Sequence, residues 1–232
     1  MQSPIPFPQS RTLATTGDFV RRVYNWMAAG LALTGLVALF TASSPALLEL
    51  VFGNRLVFYA LILGELGLVI ALGAAINRLS AAAATGMFLF YSALNGITMA
   101  AIFLVYTRAS IATTFFVTAA TFGAMSLYGL VTKKDLTSWG SFLFMGLIGV
   151  VIASIVNIFL KSEMIYWVST FCGILVFVGL TAYDTRKIKA MAGGGFADDE
   201  AARKGAILGA LTLYLDFINL FLLLLRLFGR RR

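Results

Sequence analysis

The chain has 232 residues, 60% of them hydrophobic and only 12% charged, with a mean hydropathy of +0.91. That lies far outside the composition of soluble domains and leaves length for one membrane domain and no separate soluble one. The absence of histidine and the single cysteine, Cys172, exclude an intrachain disulfide, a histidine proton switch and a transition-metal site of His and Cys clusters. The net charge of +8 does not point to nucleic acid, because the basic residues lie in short loops and at the C-terminal end, where they would face lipid headgroups.

Residues 1–20 are polar and hold three of the four prolines, which predicts a flexible, exposed tail. No short apolar region with a cleavage site precedes the first long span, so no cleaved signal peptide is expected and the first span serves for targeting. Apolar runs at about 23–43, 56–76, 82–105, 112–131, 139–160, 164–183 and 206–226 are each near the roughly 20 residues that cross a bilayer as a helix. The pattern predicts a seven-helix membrane domain over 21–229 and a basic tail at 230–232. Connections are short except 185–204, so consecutive helices should lie antiparallel. No internal repeat of the inverted-transporter kind is visible.

Basic residues predict the orientation. With the N-terminus cytoplasmic, the inner side collects Arg11, Arg21, Arg22, Arg78, Lys133, Lys134, Arg186, Lys187, Lys189, Arg203 and Lys204. The outer side has Arg55, Arg108 and Lys161. Eleven against three favours that arrangement, but seven spans put Arg226, Arg230, Arg231 and Arg232 outside as well. Six spans and a re-entrant last segment would return them; the length of the last apolar run favours seven.

Asp216 lies in the middle of that last run. An aspartate at the centre of a membrane helix costs roughly 2.5–3.5 kcal/mol on insertion scales, while each Leu, Ile or Phe returns about 0.3–0.6 kcal/mol. Thirteen such residues between 206 and 225 outweigh it. Charges retained at such depth face a bundle interior or a wet cavity and mark functional sites. At about 100° per residue, Thr212, Asp216, Asn219 and Arg226 share one arc of roughly 80°, which Gly205 and Gly209 join as a small-xxx-small pair. Thr212 and Asn219 read equally well as supporting polar groups or as helix–helix glue.

Asp184 ends the sixth run beside Arg186 and Lys187; taken alone, it reads better as an interfacial cap or salt bridge. Glu65 lies well inside the second run and needs a basic partner or a wet cavity. Arg78, thirteen residues on, points about 140° away around the same helix. Arg226 is the better candidate, as a structural ion pair. Asn95 and Asn157 read as helix–helix glue, and Tyr24, Trp26, Tyr166 and Trp167 as an interfacial aromatic belt.

No enzyme signature is visible. Without histidine there is no Ser-His-Asp arrangement, and no Gly-Lys-Ser/Thr phosphate loop occurs. Paired aspartates could in principle serve an intramembrane protease, but only a Tyr-Asp is present and the Gly-x-Gly-Asp partner motif is missing. The expectation is no catalytic activity and no cofactor.

The string Leu213-Tyr214-Leu215-Asp216-Phe217-Ile218-Asn219-Leu220-Phe221, followed by Leu225-Arg226-Leu227-Phe228-Gly229, resembles the closing signature of the Bax inhibitor-1 family, the transmembrane Bax inhibitor motif proteins. Tyr183-Asp184-Thr185 before Arg186-Lys187-Ile188 resembles its second signature, a turn closing the sixth helix. The resemblance covers nearly the whole chain. It implies an all-α integral membrane protein whose seventh helix stands at the centre of the other six. It also implies that Asp184 and Asp216, next to Tyr183, form a hydrogen-bonded pH sensor that gates a calcium leak and contacts Ca²⁺ transiently. Glu65 and Arg226 match the family's ion pair, and Arg78 is the nearest counterpart of the basic residue that latches the aspartates, though it aligns only if the helix is offset. Bacterial members are inner-membrane proteins and some modulate membrane proteases, which gives two expectations. One is a pH-sensitive calcium leak channel in the bacterial inner membrane, with lipid, Ca²⁺ and protons as its partners. The other is a non-conducting regulator that binds a membrane protease or another integral protein. Two carboxylates forced together cannot both ionise cheaply, so the first reading predicts one proton shared between them.

Overall fold

The computed structural model describes residues 9–232, and its helices follow the apolar runs. They are α1 Gln9–Ser43, α2 Pro45–Leu48, a π-helical turn Glu49–Gly53, α3 Arg55–Ala75, α4 Ala81–Met99, α5 Ala101–Val105, α6 Arg108–Val131, α7 Thr137–Leu160, α8 Glu163–Gly193 and α9 Asp199–Phe228. Seven are long and apolar enough to cross a membrane, with α4 and α5 forming one span. The connections supply the caps. Ser80, Thr107, Ser162 and Asp198 each accept a hydrogen bond from the backbone N–H three residues on, and Asn54 accepts from Leu56. Such caps satisfy donors that the first helical turn leaves free, and they fix where each span begins.

Two expected boundaries differ. Residues 1–8 of the predicted tail lie outside the described residues, but from Gln9 the chain is already helical and continuous with the first span. Phe19, inside that segment, is buried and packs on Phe196 with ring centroids 4.7 Å apart. The sixth helix does not close at the Tyr-Asp-Thr sequence: α8 runs on to Gly193. Good helix formers in Arg186–Met191 carry it, and three consecutive glycines stop it, so the connection before α9 shrinks to 194–198.

The last span is central. In its most apolar window 72% of the residues of α9 are buried, against 6% for α3. Helices α1, α4, α6 and α8 pack directly on α9, while α3 packs chiefly on α4 and α7 chiefly on α8. The expected ring of six is therefore an inner four with two outriders. Elsewhere large apolar side chains point outward, among them Phe159, Met164 and Leu56, each more than 75% exposed. A belt of this kind is a liability in water and the natural surface in lipid.

Antiparallel succession puts the connections 76–80, 132–136 and 194–198 on one face, together with the start of the first span. The opposite face carries 44–54, 106–107, 161–162 and the C-terminal segment. Backbone pairing fixes that segment: Thr107 N donates to Arg230 O and Arg232 N to Val105 O, both at 3.0 Å, as an antiparallel bridge between Tyr106 and Arg231. The C-terminal arginines are thus held at the face opposite the start of α1, as seven full spans require.

Candidate functional site

Three consecutive residues of α8 reach three different neighbours, because each step around a helix turns about 100°. Tyr183 lies over Gly140 of α7, where a Cβ would overlap its ring. Thr185 approaches the Tyr24 hydroxyl of α1 at 3.1 Å and donates to Ser126 Oγ of α6 at 3.4 Å. Between them, Asp184 faces α9. The sequence places Tyr24 in an interfacial belt, but its hydroxyl is spent on this inner contact.

Asp184 and Asp216 line one cavity of about 510 Å³ between α7, α8 and α9. Asp216 is 5% exposed and Asp184 half-buried. Among the described residues no N–H or O–H is donated to Asp216 Oδ2. The carboxyl of Asp184 lines the same cavity, so the two acids can share a hydrogen bond when one of them carries a proton. An unanswered buried carboxylate oxygen is costly, so the geometry suits a shared proton.

The cavity lining runs from Gly140, Ser141 and Lys187, toward the face with the 132–136 connection, to Asp216 and Asn219 at greater depth. Beyond Asn219, Leu220, Leu223 and Leu224 are buried in one apolar cluster with Phe177 and Val176. Gly173 makes room for Leu223; a Cβ there would lie 2.9 Å from Leu223 Cδ1.

The supporting polar residues are placed as follows. Thr212 and Asn219 line the cavity, but their hydrogen bonds return to their own helix, Thr212 Oγ1 to Leu208 O at 3.0 Å and Asn219 Nδ2 to Leu215 O at 2.8 Å. Gly209 lets α9 approach Val23 of α1 and Ile188 of α8, and Gly205 faces Phe196 and Phe19, so the glycine pair marks close contact. Asn157 binds locally instead of gluing helices: its Oδ1 accepts from Ser162 N at 2.8 Å.

Two expected partnerships are corrected. Glu65 does not pair with Arg226. Its Oε1 accepts from Thr98 Oγ1 at 2.9 Å and its Oε2 from Asn95 Nδ2 at 3.4 Å, because α3 lies outside α4 and turns its acid toward that helix. Arg226 sits instead in the last turn of α9 with its guanidinium 5.6 Å from the centroid of the Tyr166 ring. Arg78 does not latch the aspartates either. Its connection abuts the first turns of α9, where Lys204 Nζ donates to Asn77 O at 3.5 Å and Ala81 N to Glu200 Oε1 at 3.2 Å. From Lys204 to Asp216 is twelve residues, about 18 Å of helix. The cation at the cavity is Lys187. The Arg-Lys pair after Asp184 could have signalled it, since a residue three positions on shares the same face.

Asn95 extends the Glu65 cluster inward. It accepts from Tyr214 Oη at 3.1 Å, and Tyr214 Oη lies 2.7 Å from Thr34 Oγ1 of α1. Four helices meet in this chain of hydrogen bonds, two residues from Asp216 in sequence. Sequence reasoning missed it, since a tyrosine amid leucines carries no partner information.

Comparison with known proteins supplies the family. A family model described as "Inhibitor of apoptosis-promoting Bax1" matches residues 16–232. The chain belongs to the Bax inhibitor-1 family. It is 54% identical over 231 residues to the inner membrane protein YbhL of Escherichia coli K12, covering 97% of this chain and 99% of that protein. An uncharacterized protein of Borreliella burgdorferi is 44% identical over 224 residues, with 97% of both chains covered, and one of Deinococcus radiodurans is 43% identical over 227 residues, covering 98% and 96%. This Bax inhibitor-1 family member is therefore an integral membrane protein, with the inner membrane as the location its similarity to YbhL supports.

Proposed function

We propose that this Bax inhibitor-1 family member is a pH-sensitive calcium leak pathway, not an enzyme, gated by the Asp184–Asp216 pair and working without a cofactor. The observation that carries the reading is the buried, donorless Oδ2 of Asp216 beside a second carboxyl in a cavity at membrane depth. While one proton is shared, the bond between the carboxyls ties α8 to α9 and the leucine plug stays shut. When rising pH removes it, two anions face each other and Lys187 can balance only one of them. Repulsion then loosens the contact between α8 and α9, and the two carboxylates attract Ca²⁺, a cation that prefers oxygen ligands. Among the described residues no group of three or more acidic or cysteine side chains forms a metal cage, which suits a passing ion better than a stored one.

The test is calcium flux into proteoliposomes across a pH series. Flux should rise as pH increases, and Asp216→Asn, which cannot lose the shared proton, should flatten that dependence. If Asp216→Asn leaves the flux and its pH profile unchanged, the gating role is wrong. If the wild type carries no calcium at any pH, a non-conducting regulator of a membrane protease or another integral protein is the better reading.

A further inference from the structure

At the opposite face, α7, α8 and the end of α9 enclose a second cavity of about 540 Å³ that the calcium path does not use. Lys161, Arg226 and Arg231 line it together with Glu163, three cations against one acid, a net charge of +2. None of the four makes an ion pair among the described residues, where Arg21 pairs with Asp18 and Arg203 with Asp199. Unbalanced cations sharing one cavity repel each other unless an anion joins them.

The backbone holds the cluster in place. Lys161, at the C-cap of α7, adopts a left-handed conformation at φ 50°, the one non-glycine residue with positive φ among those described. Arg231 belongs to the bridge with Tyr106, so its side chain is directed away from those of Arg230 and Arg232. Arg226 is steadied over the Tyr166 ring. Tyr166 and Trp167 line the same cavity, and such aromatics prefer headgroup depth. Leu160 and Met164, each next in sequence to a lining residue, Lys161 and Glu163, are exposed and offer apolar surface for acyl chains.

We propose that this cavity binds the phosphate headgroup of an anionic phospholipid in the leaflet at the C-terminal face. The shared chemistry is a phosphate monoanion, met by one ammonium and two guanidinium groups that can donate in pairs to its oxygens. This accounts for basic residues on the face that the orientation rule would leave poor in charge. The site is independent of the aspartate pair and stands whether or not the protein conducts calcium.

The experiment measures binding of dioctanoyl phosphatidylglycerol and dioctanoyl phosphatidylcholine to the full-length protein in neutral detergent, by native mass spectrometry. The anionic lipid should be retained at least about tenfold better. Arg231→Gln and Lys161→Asn, the latter a residue that tolerates left-handed backbone, should each weaken it roughly fivefold, in line with about one basic residue's share of headgroup attraction. Arg55→Gln, on the same face but outside the cavity, should change nothing. Equal retention of both lipids, or unaltered retention in both cavity variants, overturns the proposal. Displacement by inorganic phosphate at concentrations comparable to the lipid overturns the lipid source and makes free phosphate the ligand.

Discussion

The hydroxyls of Thr185 and Tyr24 lie 3.1 Å apart, which fastens α8 to α1 one residue beyond Asp184. The carboxyl that faces α9 is therefore carried on a helix anchored on its far side. Movement of Asp184 away from Asp216 must pivot about this contact, or act through α9.

The anchor depends on close packing of α6 on α8 at Gly129. A Cβ at that position would run into the Ala182 carbonyl and lie 3.0 Å from Thr185 Cβ. Backbone cannot yield as a side chain does, so Gly129→Ala should destabilise the protein by about 1–3 kcal/mol. Thermal unfolding in detergent, with Gly149→Ala as the control, reads this out. Gly149 has no neighbour within 4 Å of an added Cβ, and its variant should melt no lower than the wild type.

Leu223 fills the space left by Gly173 and is buried in the apolar cluster of Leu220, Leu224 and Phe177, which the proposed gating makes the barrier. Leu223→Ala should leave a void, cost about 2–5 kcal/mol and, on the proposed gating, raise calcium flux at acidic pH. Flux unchanged in a folded variant would place the barrier elsewhere.

Glu65 and Arg226 should be energetically independent. A double-mutant cycle with Glu65→Gln and Arg226→Gln is expected to be additive within about 0.3–0.5 kcal/mol. The cycle of Glu65→Gln with Thr98→Val should instead show coupling of about 0.6–1.7 kcal/mol, the range found for hydrogen bonds between membrane helices. Reversible unfolding in mixed micelles measures both.

The basic-residue bias predicts a cytoplasmic N-terminal face. With Cys172→Ser as background, Glu49→Cys and Lys134→Cys report the two faces, since both positions are exposed and lie in connections on opposite sides. A membrane-impermeant thiol reagent applied to intact spheroplasts should label Glu49→Cys and spare Lys134→Cys. The reverse pattern would invert the orientation.

What could be read from the residues and what could not divide along physical lines. Length and hydropathy set seven spans, because crossing lipid demands an uninterrupted apolar helix whatever its neighbours are. The caps Ser80, Thr107, Ser162 and Asp198 went unread, although capping is a local interaction over three residues. The last run's single aspartate among leucines, with glycines on its face, turned that face toward protein, while the helix's central place was implied only by the family resemblance. Partner choice was beyond reach. Glu65 met Thr98 and Asn95 instead of Arg226, Arg78 stayed at a connection far from Asp216, and Tyr214 joined α1 and α4. Those outcomes depend on which helices are neighbours and at what depth they cross, and only the packed bundle decides that. The residues of each helix dictate what it can bury; the packing of the bundle chose what each buried group would meet.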